Sequence, residues 1–337
     1  MLGYIDPTNL KNSNFKLRIT KLLINKLNNL GKNKTPFLFI IDFEINNFYI
    51  APLATLAPNI FFSIDEFSNI SHSYRTNNSI IKKIPVSFEK YQLAFEHVIQ
   101  EIRIGNTYML NLTFPTLIET NLSLSEIFFS SKAQFKLYFQ DKFTVFSPER
   151  FIKIEDNRII TYPMKGTIDA LIPDAKKKIL ANEKELAEHN MVVDLLRNDL
   201  SIVAKKVQVD KFRYVNKIIA GSKTLLQVSS EISGVLEPNW QSKIGDILLS
   251  LLPAGSISGT PKKKTLEIIK TVEGYQRGFF TGVFGYFDGN KLDSAIMIRF
   301  IEKMDGQLIY KSGGGITIDS DLKTEYQEML DKVYIPL

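Results

Sequence analysis

Apolar residues recur along this chain with two periods, one near two and one near 3.6, and the alternation between them predicts the elements. Short continuous runs at 37–41 (Phe37-Leu38-Phe39-Ile40-Ile41) and 47–50 (Asn47-Phe48-Tyr49-Ile50) predict two buried strands. Residues 108–116 and 135–146 alternate as strands do, and further strand-rich stretches cover 207–235, 279–287, 293–302 and 307–311. A hairpin is expected from Phe151–Ile154 through the turn Glu155-Asp156-Asn157 to Arg158–Tyr162. Pro163, which has no N–H to donate, should end regular pairing there. The helical period appears after Ser87, a natural cap, where Phe88, Tyr91, Phe95, Val98, Ile99 and Ile102 share one face up to Gly105. Helices are also expected over about 181–200, 240–252, 265–273 and 321–333. Residues 1–35 mix the periods and support no assignment, 66–83 read as a loop or linker, and 168–180 are polar and rich in lysine. Strand runs mixed with separate helices predict an α+β fold rather than strict βαβ alternation.

Composition narrows the chemistry. With 337 residues, 44% hydrophobic and 23% charged, the chain is an ordinary globular protein able to bury a core. It has no cysteine, which excludes disulfides, thiolate metal sites and cysteine nucleophiles. The three histidines, His72, His97 and His189, are too scattered to suggest a metal site. The net charge of +6 comes from dispersed basic residues, dense only at Lys176–Lys178 and Lys262–Lys264, so no nucleic-acid partner is expected. No signal peptide and no apolar run near ~20 residues is evident, so no membrane partner and a cytoplasmic location are expected.

Several charged residues stand where the pattern calls for apolar ones. Glu149 enters the hairpin and Lys165 leaves it, which brings both toward one end. Glu185 and Glu188 are three apart on a predicted helix, as are Glu325 and Glu328, so each pair lies on one helical face. At about 100° per residue, Glu185 and Glu188 continue the apolar stripe of Val192, Leu195 and Leu196. Glu325 and Glu328 form a stripe with Lys332 beside Leu322, Tyr326, Met329 and Val333. Salt bridges at a helix rim are the simplest account of either pair. Two inward-leaning oxygen-only pairs also suit Mg²⁺, which commonly takes one or two carboxylates, water and an anionic ligand. Ser312-Gly313-Gly314-Gly315 is expected to form a turn whose amides could hold an anion. The Gly255–Pro261 stretch, with Thr260 as cap and Pro261 first in the next helix, is a second anion-suited loop. Neither is a Walker or dinucleotide fingerprint. Arg299 follows the apolar run Ala295–Ile298 and needs a partner, for which an anionic substrate would serve.

Taken together, the segments SPERF, PMKGT, ELAEHNMVVDLLRNDL, PAGSISGTPK, DSAIMIRF and GGGITIDSDLKTEYQEMLDKV resemble the chorismate-utilising enzymes, in that family's order from about residue 85 onward. The resemblance implies that fold: large antiparallel β-sheets packed as a sandwich with helices outside, residues 85–337 as the chorismate-binding catalytic domain, and 1–84 as a shortened N-terminal segment of the same fold. It implies Mg²⁺ as cofactor, with Glu188 and Glu328 as ligands and Glu185 and Glu325 beside them. Glu149 would be the general acid/base, while Arg299, Ser256 and the amides of Gly313 and Gly315 would hold substrate carboxylates, with Lys332 nearby. Lys165 stands where the aminodeoxychorismate-forming branch carries a nucleophilic lysine and the anthranilate-forming branch usually has alanine. The water-using isochorismate branch needs a lysine base where this chain has Met109.

Three departures from the family pattern stand out. Leu226 replaces a family histidine, Ile168-Asp169-Ala170 replaces Arg-Pro-Arg after Lys165-Gly166-Thr167, and the N-terminal part is shorter. The implied branch takes ammonia from a separate glutamine amidotransferase subunit, the expected partner besides chorismate. An anthranilate-forming enzyme and a non-catalytic chorismate binder are the alternatives.

Overall fold

Ile19, Leu23 and Leu27, four residues apart, are buried on the first helix, α1 (Ser13–Lys32). Leu17 and Leu22 on the same helix are exposed, which blurs its period and explains why the sequence supports no assignment there. The structure, a computed structural model, describes residues 13–71, 80–220 and 223–336. The first twelve residues, 72–79 with His72, and 221–222 of the strand-rich stretch lie outside those described.

β1 (Phe37–Ile41) and β2 (Phe48–Pro52) follow as expected, then β3 (Ile60–Ile64), β4 (Phe67–Ser68) and β5 (Ile81–Ile84). The last two correct the expected loop: both pair in the sheet, but mostly with solvent-facing residues that carry no apolar period. Ser87 caps α2 (Phe88–Arg103), its Oγ accepting the Lys90 N–H at 3.3 Å. After β6 (Met109–Thr120) comes α3 (Leu124–Ser130), opened by a Ser123/Glu126 capping box that the sequence reading passed over. The single strand expected at 135–146 is the hairpin of β7 (Phe135–Phe139) and β8 (Phe143–Ser147), turning where Gln140 and Asp141 take positive φ.

β9 (Arg150–Glu155) and β10 (Arg158–Thr161) form the predicted hairpin. Pairing does not end at Pro163. Its carbonyl accepts the Ser230 N–H at 3.0 Å, and β11 (Met164–Asp169) continues along the same neighbour. A proline withholds only its donor, so its carbonyl can still join the ladder. The lysine-rich stretch contains α4 (Ala175–Ala181), followed by α5 (Glu183–Val203), β12 (Lys205–Ala220), β13 (Lys223–Val235) and α6 (Ile244–Leu251). Gly255–Ser258 is one helical turn, α7, rather than a loop, and Gly259–Thr260 is a short strand, β14. Thr260 is therefore engaged with β6, and Pro261 caps α8 (Lys262–Glu273) in its place. β15 (Val283–Phe287), β16 (Leu292–Ile296), β17 (Phe300–Met304), β18 (Gln307–Ile316) and α9 (Leu322–Asp331) complete the chain.

The described residues gather into two units. The first comprises the chain up to Leu56, Glu149–Ser256 and Val283–Ile296; the second comprises Ala57–Pro148, Ile257–Gly282 and from Met297 on. The first unit holds a nine-stranded antiparallel sheet in the order β11-β13-β10-β9-β16-β15-β1-β2, with β12 on β13. The second holds another nine-stranded antiparallel sheet, β14-β6-β18-β17-β8-β7-β3-β4, with β5 on β6. The strand expected at 293–302 is thus two strands of different sheets, broken at Arg299, whose φ is +53°. In the second unit α2, α8 and α9 bury Tyr91, Phe95, Val98, Ile268, Ile269 and Met329 against one face of its sheet. Two large antiparallel sheets with separate helices make the fold α+β, as expected. Among the described residues no helix is long and apolar enough to cross a membrane.

Candidate active site

Lys165 owes its position to a β-bulge. Met164 pairs with Ser229 and Thr167 with Gln227, so three steps on β11 match two on β13 and Lys165-Gly166 absorbs the extra residue. Gly166 has φ +85°, which a residue with a Cβ adopts only under strain; a Cβ there would also come within 3.0 Å of Glu185 Oε2. The bulge turns Lys165 onto α5, where its Nζ donates to Glu188 Oε2 at 2.7 Å. The two side chains are 26% and 13% exposed, so this pair is screened less than a surface salt bridge. Asn182 caps α5 by accepting the Glu185 N–H at 3.0 Å, which fixes the register of the acidic pair.

Glu149 lies one residue ahead of β9, its carbonyl accepting the Ile296 N–H at 3.1 Å. Its carboxylate accepts the Ser256 hydroxyl of α7 at 2.6 Å. Arg150 next to it is neutralised by Asp293 through bonds of 2.8 and 3.0 Å. Leu226, the departure from the family pattern, pairs with Ile168 across β13 and β11.

The second unit carries the other acidic pair on α9, capped by Asp321, which accepts the Thr324 N–H at 3.0 Å. Glu325 is buried and accepts the Ser320 hydroxyl at 2.7 Å. Lys332 Nζ lies 2.6 Å from Glu328 Oε1 and donates to the Gly313 carbonyl at 2.8 Å. Burial and then the Glu325 and Glu328 charges push the Tyr91 phenol above its usual range. The glycine run is not the expected turn. Gly313, Gly314 and Gly315 lie within β18, opposite Thr113, Leu112 and Asn111 of β6. A Cβ on Gly313 would sit 2.2 Å from the Leu112 carbonyl oxygen, so the residue is glycine because the two backbones come that close. Arg299 is half-buried at the break between β16 and β17, its guanidinium over the Tyr334 ring at 5.5 Å.

Among the described residues no three His, Asp or Glu side chains gather closely enough to hold a metal ion, so the candidate ligands come as two pairs. Each pair fits a hard cation by its chemistry, being oxygen donors on one helical face. On α9 the oxygens also converge. From the point where a Cβ of Gly314 would be, Glu325 Oε2 is 3.3 Å away, Glu328 Oε1 3.6 Å, and the Lys332 ammonium 3.6 Å.

His189, too far in sequence from the other histidines to suggest a metal site, lies close enough to Lys165 to feel its charge. It is fully buried next to Glu188, its Nε2 2.7 Å from Ser230 Oγ, and Ser230 Oγ accepts the Arg213 N–H at 3.0 Å. Burial first, then the Arg213 and Lys165 charges, lowers its pKa to about 4, so the imidazole is neutral. Helical arithmetic held the signal: His189 falls about 40° from Glu185 and beside Leu196 on the inward stripe. Also missed was the buried Glu273–Arg277 pair at 2.6 Å. Glu273 accepts from the Thr113 N–H and hydroxyl, and Arg277 donates to the Asn111 carbonyl, fixing the stretch of β6 that faces the glycines.

The chain belongs to the chorismate binding enzymes, whose sequence model matches residues 53–337. Over 315 residues it is 51% identical to a Haemophilus influenzae protein described as uncharacterized and PabA-like, covering 93% of this chain and 96% of that one. Component 1 of the Escherichia coli aminodeoxychorismate synthase is 32% identical, over 73% of this chain and 56% of its own length. Component 1 of the Archaeoglobus fulgidus anthranilate synthase is 33% identical, over 73% of this chain and 61% of its own length. The structure of anthranilate synthase component I from Streptococcus pneumoniae superposes with a TM-score of 0.66 at 26% identity, over 83% of this chain and 62% of that one.

Proposed function

We propose that the chain converts chorismate and ammonia to 4-amino-4-deoxychorismate, the ammonia coming from a separate glutamine amidotransferase subunit. The observation that carries this reading is the Lys165 amine, aimed by the bulge at Glu188 and 2.7 Å from it. Lys165, which reacts as the neutral amine after releasing its extra proton to solvent, bonds through Nζ to C2 of chorismate as the C4–O bond breaks, and Glu149, in its acid form, protonates the leaving hydroxyl so that it departs as water. Ammonia then bonds to C4 as the bond to Lys165 breaks. The proton shed by the new ammonium nitrogen returns to Glu149, which restores both groups.

Arg299, Ser256, Lys332 and the amides of Gly313 and Gly315 hold the substrate carboxylates in this reading. Glu188 and Glu328, with Glu185 and Glu325 beside them, are the residues that would hold Mg²⁺, which when bound neutralises and orients substrate carboxylate charge. Met109 is buried in β6 opposite Thr260 and cannot serve as the base of a water-using branch. An anthranilate-forming reaction is the second reading, supported by relatives of equal similarity. Product analysis with chorismate, ammonia and Mg²⁺ decides: 4-amino-4-deoxychorismate is expected, and anthranilate would overturn the proposal.

A further inference from the structure

Behind Glu149, within the first unit, lies a cavity of about 20 Å³ lined by Glu149, Arg150, Tyr162, Asp199 and Ser256 together with apolar side chains. A cavity needs roughly 10–15 Å³ and two to four polar partners to hold one water, and this one meets both conditions. Asp199 comes from the buried face of α5 and is 7% exposed. Its Oδ2 is 2.7 Å from the point where a Cβ of Gly255 would be, so it lies against the backbone that presents Ser256, whose hydroxyl holds Glu149. Arg150 is matched by Asp293, and the Tyr162 phenol, pushed up to about 12 mainly by burial, is neutral. α6 and β16 contribute only Leu251 and Ile296.

We propose that Asp199 is a positioning residue for Glu149, the two carboxylates sharing one proton across a single water in this cavity. The inference rests on the reading of Glu149 as an acid. An isolated glutamate is ionised at neutral pH and has no proton to give, whereas two carboxylates lining one small cavity cannot both ionise freely. Asp199 keeps the proton available to Glu149, and Ser256 keeps the carboxylate facing outward to use it.

The test is isotope-edited difference infrared spectroscopy of the full-length, ligand-free protein across pH, with the Glu149 carboxyl band assigned by Glu149→Gln. A protonated carboxyl band should persist at pH 7 in the unaltered protein. In Asp199→Asn its midpoint should fall by at least about one pH unit. Absence of the band at pH 7, or an unmoved midpoint in Asp199→Asn, overturns the inference. Should Asp199→Asn not fold, the reciprocal reading in Glu149→Gln replaces it: the Asp199 midpoint must fall, and an unchanged value is a refutation. These readings need no substrate, so they stand apart from the identity of the product. If the band shifts and the alkaline limb of kcat/KM moves down with it, at unchanged KM, both the shared proton and the acid role are supported. If the band shifts and the limb does not, the acid role of Glu149 fails while the shared proton stands.

Discussion

The two acidic helices carry the same spacing and meet their lysines differently. On α9 the lysine is local: Lys332 follows Glu328 by four residues, an arrangement that any helix of this sequence would make, with Glu328 49% exposed. On α5 the lysine arrives from a strand 23 residues away in sequence, delivered by a bulge and a left-handed glycine, with Glu188 only 13% exposed. A pair that forms by itself needs no further explanation. A pair that the fold must assemble, and whose glycine would be strained as any other residue, is the one on which the proposed reaction rests.

The largest effect should separate these two lysines. Lys165→Ala should lower product formation at least about 1,000-fold, because it removes the proposed nucleophile, whereas Lys332→Ala should cost about 10-fold through weaker binding of carboxylates in the same proposal. Both are read by product formation on protein whose circular dichroism is unchanged. Equal losses would break the contrast.

Stability sharpens it next. Lys136 in the second unit is a buried lysine that meets the Ser131 carbonyl at 2.6 Å and the Phe128 ring at 4.7 Å, with no carboxylate partner among the described residues. Burial lowers its pKa to about 8. Between that value and about 10.4 the unfolded chain binds more protons than the folded one, so stability rises with pH across that window and is lowest below it. Lys136→Met should therefore gain about 1–3 kcal/mol at pH 7 and flatten that rise, measured by urea unfolding at pH 7 and 10. Lys165, with its carboxylate partner, should show no such gain on the same substitution.

The smallest effect compares glycines. Gly166→Ala should cost about 1–2 kcal/mol of stability, since its φ is left-handed, and should displace Glu185. Gly314→Ala meets Glu325 Oε2 at 3.3 Å in an extended strand and should cost at most about 0.5 kcal/mol. Urea unfolding of both variants checks the order, and a reversed order would remove the bulge from the account of Lys165.

Much of the architecture was legible because it is written locally. The Ser87 cap, the apolar face of α2 and the hairpin of β9 and β10 each depend on residues within a few positions of one another. So do the acidic pairs, whose i,i+3 spacing on a helix needs no tertiary information. The misreadings have several causes. α1 hid behind two exposed leucines, and the glycine run looked like a turn because only the nearness of the Leu112 carbonyl makes it a strand.

By itself the sequence determined the α+β class, the helices that carry the carboxylates and, through its motifs, the family to which the chain belongs. Only the tertiary structure decided that Lys165 meets Glu188, that Ser256 holds Glu149, and that His189 and Asp199 lie buried beside them. Periodicity records which face of an element is apolar. It does not record which distant element fills the space opposite, and the chemistry of this site resides in those pairings.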